Sequence, residues 1–160
     1  MRLYAALAAI TMGMSLGSHR PALAQELAAS SMDVLRDQLG LDKKAVVEAN
    51  LILTEPQAAA FWPIYAEYQR ELETIDAQLI KVVNEYVERY VNSSITDAIA
   101  RRLIGEVIAL DEAEVALRKT TLLKLDGVVP AIEAARYLQI ENKIRAVVRF
   151  DLADAIPLVE

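Results

Sequence analysis

Between Thr54 and Val91 the chain sets Phe61, Tyr65, Tyr68, Leu72, Ile75, Leu79, Val82 and Tyr86 at alternating steps of four and three residues. That rhythm is the seam of a long α-helix packed side by side with another helix over several turns. No glycine interrupts it, and the residues between (Glu67, Arg70, Glu71, Glu73, Asp76, Lys81, Glu85) are charged and suit solvent. A helix of about 38 residues reaches some 57 Å at 1.5 Å per residue. A chain of this length cannot wrap such a rod completely, so the expected protomer is slender.

The start of the helix is written as "LTEPQ", Leu53 to Gln57. Thr54 at the N-cap with Gln57 three residues on is a reciprocal capping box, in which each side chain satisfies a backbone N–H of the other's turn. Glu55 complements the positive end of the helix dipole, and Pro56 sits where a missing N–H costs little. Leu53, Thr54 and Gln57 are therefore read as a helix start. Pro63 lies about two turns inside, where it removes the bond to the Ala59 carbonyl and is expected to bend the axis. Phe61, Trp62, Tyr65 and Tyr68 surround that bend. They either fill the wedge that a kink opens or form an aromatic rim that contacts another chain.

Helical periodicity extends through the rest, and no run has the alternation and β-branched enrichment of strands. Residues 31–49 read as one broken helix or two short ones, with Gly40 as the weak point. A helix over 96–126 carries Ile99, Leu103, Val107, Leu110 and Leu117 on one face. Ser94 and Asp97 resemble its capping box, and Asp126-Gly127 a turn at its end. The short link after Asn92 folds it back antiparallel to the 54–91 helix. A last helix, 130–155, opens at Pro130 and stops near Pro157. The expected fold is all-α: a long antiparallel helical hairpin with flanking helices, curved, in one domain spanning 25–160.

The first 24 residues read as a cleavable signal peptide. Arg2 provides the positive start, Leu3 to Leu16 the apolar run, and Ala22-Leu23-Ala24 the small-residue cleavage site. The apolar run is too short to span about 30 Å of hydrocarbon. Cleavage after Ala24 sends the protein to the periplasm without membrane insertion. Arg2, Arg20 and the only histidine, His19, leave with the leader, so the net charge of −6 becomes −8. That acidity argues against nucleic acid and anionic membranes as main partners. There is no cysteine, so packing alone must hold the exported fold.

"LTEPQ" opening a long helix resembles the LTxxQ motif of the Spy/CpxP family of periplasmic proteins. In that family the motif occurs twice; here the second copy, within Val129–Ile144, keeps Pro130 and Glu133 near the cap but lacks the Thr and Gln. The two segments "KKAVVEANLILTEPQAAAFWPIYAEYQREL" and "AARYLQIENKIRAVVRFDLADAIPLV" are together similar to an exported proteobacterial subgroup related to the family, over Lys43 to Val159. The resemblance implies a curved hairpin protomer that pairs into a homodimeric cradle and acts as an ATP-independent chaperone or an envelope-stress accessory. Partners would be unfolded client proteins or a sensor ectodomain; a helical adaptor with one fixed partner is the alternative. Family chaperones carry a basic concave face, whereas this chain is acidic. Arg101, Arg102, Arg118, Lys119, Arg136, Lys143, Arg145 and Arg149 form either a local basic patch or ordinary solvated helix charge.

Catalysis and metal binding have little to work with. Without His or Cys after the leader, transition-metal sites lose their preferred ligands and a Ser or Thr nucleophile loses its usual base. A metal-responsive sensor is accordingly disfavoured, and no cofactor is expected. The pairs Asp111 with Glu114 and Asp151 with Asp154 lack the Glu-x-x-His of di-iron bundles and read as surface acids. The expectation is a non-enzymatic binding protein.

Overall fold

A computed structural model describes residues 43–159. The expected signal peptide, its expected cleavage site and the 31–42 part of the first expected helix lie outside the described residues. Within them the protein is all-α: α1 (Lys43–Asn50), α2 (Glu55–Val91), α3 (Asp97–Leu125) and α4 (Ala131–Ala155).

Thr54 takes the N-cap of α2 with extended backbone, in capping-box geometry with Gln57. Its N–H donates to Gln57 Oε1 at 2.9 Å. The helix continues through Pro63 as one element. Pro63 and Ala59 are both exposed, so the carbonyl that the proline leaves without a donor faces water. The N-cap of α3 is Thr96, whose hydroxyl accepts from the Ile99 N–H, rather than Ser94. Ser94 closes the preceding turn, with its hydroxyl donating to the Arg89 carbonyl at 3.3 Å.

Ion pairs record the topology. Glu85 meets Arg102 and Glu67 meets Lys124, so α2 and α3 run antiparallel. Asp111 meets Arg149 and Glu114 meets Arg145, which sets α4 antiparallel to α3 and therefore parallel to α2. α4 packs on this antiparallel pair, and α1 packs on α4.

Two apolar clusters make the core. The larger gathers Val47 of α1, Phe61, Tyr65, Tyr68 and Leu72 of α2, Leu117 and Leu125 of α3, and Ala134 and Tyr137 of α4. Tyr137 is its hub, with ring centroids 5.2 Å from Phe61, 6.0 Å from Tyr65 and 6.0 Å from Tyr68, all edge-on. The smaller holds Val83, Val87 and Leu152.

Between them lies a charged layer. Arg145 is 6% exposed, Asp76 3% and Glu114 2%. Arg145 donates to Asp76 of α2 and to Glu114 of α3, each at 2.7 Å. Arg149 adds a bond to Glu114 at 2.9 Å. This corrects the reading of Asp76, Glu114 and Arg145 as surface charges. It also corrects the heptad seam. The buried line on α2 passes from Leu72 to Asp76, Val83, Val87 and Val91, while Ile75, Leu79, Val82 and Tyr86 are only half-buried. A strict seven-residue repeat drifts about 20° per heptad around a straight helix, and the buried line follows the helix instead.

Burial opposes ionisation of Glu114, but hydrogen bonds and charge from Arg145 and Arg149 overcome it and hold the carboxyl below its ordinary range. A depressed folded value means stability that is present above the unfolded value and lost as pH falls through the folded one. Acid titration of wild type is expected to cost stability over that window, and Glu114→Gln should flatten that part of the profile. Arg145→Ala strands two buried carboxylates and is expected to cost about 3–5 kcal/mol, read by urea denaturation.

The α3–α4 connection is a tight turn, with the Val128 N–H donating to the Leu125 carbonyl at 3.0 Å. Asp126 has φ −62° and ψ 128°, and Gly127 has φ +73°, the type II pattern that needs glycine third. A Cβ on Gly127 would meet nothing within 4 Å, so only backbone strain opposes one. Gly127→Ala is expected to cost about 1–2 kcal/mol, with an unchanged urea m-value.

Candidate protein-interaction surface

The aromatic residues around Pro63 are not a free rim. Phe61 is fully buried, Tyr68 is 1% exposed and Tyr65 8%. α4 brings Tyr137 against all three, and α1 inserts Val47 into the same cluster. Trp62 is half-buried, edge-on to Phe61 at 5.1 Å and to Tyr65 at 5.4 Å. The Lys44 ammonium of α1 lies 5.1 Å from its ring centroid, a cation–π cover. The reading of Phe61, Trp62, Tyr65 and Tyr68 as a partner-binding surface is corrected for three of them: Phe61, Tyr65 and Tyr68 are core, because a helix of the same chain covers the seam, and Trp62 sits half-buried at the edge of the cluster. Leu53, Thr54 and Gln57 act in the helix start, and Leu53 also packs on the larger cluster.

The longest row of exposed apolar side chains lies on α3. Ile104 is 62% exposed, Ile108 52%, Val115 40% and Leu122 47%. At about 100° per residue these four fall within some 40° of one another and span roughly 27 Å of helix. Leu103, Leu117, Thr121 and Leu125 face inward on the other side, so α3 is apolar on two faces. The sequence reading followed only the inner face. The signal for the outer one was the leftover set Ile104, Ile108, Val115 and Leu122, at steps of four, seven and seven.

Each end of this stripe runs into a cleft. At the Ile104 end, a cleft of about 320 Å³ opens between Val82, Val83 and Tyr86 of α2, Leu103, Ile104 and Val107 of α3, and the tail Ile156–Val159. Among the described residues no carboxylate or amine lines it, and the Tyr86 hydroxyl donates to the Pro157 carbonyl at 2.6 Å, holding residues 156–159 as a wall. At the Leu122 end, a cleft of about 420 Å³ lies between Leu122, Leu123 and Leu125 of α3 and Ala134, Ala135 and Leu138 of α4. Ile132 and Phe150 on α4 are also widely exposed, at 67% and 72%.

Most of the suspected basic patch is neutralised in place. Arg102 pairs with Glu85 and Glu106, Arg118 with Glu114, Arg136 with Glu133, Arg145 with Asp76 and Glu114, and Arg149 with Asp111 and Glu114. Arg101, Lys119 and Lys143 stay exposed. Among the described residues no three His, Cys, Asp or Glu side chains converge as metal ligands, and no helix is long and apolar enough to cross a membrane. No protein-family model, curated protein or solved structure matches the chain.

Substitutions on the α3 stripe should separate surface from fold. Ile108→Lys and Val115→Lys remove exposed apolar groups without opening the core, so each is expected to change stability by no more than about 0.5 kcal/mol. Leu117→Ala, on the buried face of the same helix, should cost about 2–5 kcal/mol. Parallel urea melts of the three variants check the contrast.

Proposed function

We infer that the protein is a periplasmic, non-enzymatic binding protein of the Spy/CpxP kind, which holds apolar segments of partly unfolded or signalling proteins. The observation that carries this reading is the exposed aliphatic stripe Ile104–Ile108–Val115–Leu122, joined at its ends to two largely apolar clefts. The four side chains repeat along one side of α3 with Asp111, Arg118 and Lys119 set between them, and exposed apolar surface rimmed by polar residues marks interaction sites. Aliphatic side chains suit many sequences rather than one, which favours clients over a single dedicated partner. Two copies meeting along α3 would cover part of the same stripe, so homodimerisation and client capture compete for it.

The test combines a light-scattering mass with a client-aggregation assay on one purified sample. Wild type at up to equimolar ratio should slow the aggregation of several unrelated clients, and the Ile108→Lys, Val115→Lys double variant should lose most of that effect while melting normally. Undiminished aggregation with wild type, or full protection by the double variant, would overturn the reading.

A further inference from the structure

The outer face of α3 carries charges as well as aliphatic groups, and their spacing follows a rule. Gly105, Ile108, Glu112, Val115, Lys119 and Leu122 succeed one another at steps of three and four, and all are exposed. That is the repeat by which one helix packs along another. It lies away from Leu103, Leu117, Thr121 and Leu125, the buried line of the same helix. Charges near it are mostly satisfied within the chain: Arg102 meets Glu85, Arg118 meets Glu114 and Arg149 meets Asp111. Glu112 and Lys119 are different. Neither makes an ion pair or a hydrogen bond among the described residues. They stand seven residues apart, beyond the three or four at which side chains meet along one helix.

We propose that this face docks a second copy of the chain, α3 antiparallel to α3 about a two-fold axis beside Val115, with each Glu112 paired to the partner's Lys119. The two unpaired charges select that arrangement. An isologous interface repeats every contact, so Glu112 on the partner's Lys119 also places Lys119 on the partner's Glu112. The same register sets Val115 beside the partner's Ala116 and Ile108 on the partner's Leu123, which is 76% exposed in the single chain. Sliding one heptad either way brings Glu112 onto the partner's Glu112, or Lys119 onto the partner's Lys119. Sliding half a heptad faces each charge with an aliphatic or alanine side chain and desolvates it unpaired. A parallel pair in register sets like against like at both positions.

The same charges argue for a copy of this chain over another occupant. A uniformly acidic or basic segment would attract one of the two and repel the other, and like-charge juxtaposition suppresses wrong partners. A face with one acid and one base on either side of an apolar centre is complementary to itself. Docking covers Ile108, Val115 and Leu122, so it would store the surface assigned above to clients. It does not depend on that assignment.

Sedimentation equilibrium on the purified protein alone tests the interface. Wild type should show a concentration-dependent dimer. Glu112→Lys and Lys119→Glu each turn two symmetry-related pairs repulsive, and each should weaken the dimer about tenfold or more. An equimolar mixture of these two variants should associate about as tightly as wild type, because unlike charges then meet at both positions. The Glu112→Lys, Lys119→Glu double variant should do the same. Recovery on mixing also shows that each single variant is folded. Single variants that dimerise as well as wild type, or a mixture no tighter than its components, would overturn the proposal. A monomeric wild type would overturn it too, and if that monomer still slowed client aggregation the client reading would stand without the dimer.

Discussion

Arg145 holds the bundle in register. Its two terminal nitrogens reach separate helices, Asp76 on α2 and Glu114 on α3, from a third. A buried guanidinium tolerates only an arrangement that supplies both acids, because either one missing leaves a desolvated charge. Apolar contacts can slide by a turn with little penalty, whereas this triad cannot. The two apolar clusters on either side therefore inherit their alignment from a polar interaction.

That layer also decides what is left outside. α4 brings Tyr137 onto Phe61, Tyr65 and Tyr68, and the aromatic groups become core. α3, packed along α2 by its inner face, keeps an outer face on which Ile104, Ile108, Val115 and Leu122 stay exposed among the described residues. Exposed apolar surface thus lies on the element whose two sides are both apolar.

The helices were legible before the structure because their grammar is local. Thr54 with Gln57 and Gly127 after a helix end each act within a few residues of chain, and Pro130, expected in the first turn, stands one residue before it as the N-cap. The aromatic surface was misread because burial is not local. The spacing Phe61–Tyr65–Tyr68–Leu72 says that something packs there, yet nothing within it distinguishes α4 from a second protein. Asp76 and Arg145 were misread for the same reason. Each looks like solvated helix charge until its partner 69 residues away is known. The α3 stripe was readable in principle, but one set of apolar positions on that helix already satisfied the expectation of an inner face.

The Tyr86–Pro157 bond has a practical corollary. It pins residues 156–159 as one side of the Ile104 cleft, so the shape of that cleft hangs on a single phenol. Without the Tyr86 oxygen the wall would be free to swing, and the same apolar side chains would line an open shelf in place of a slot.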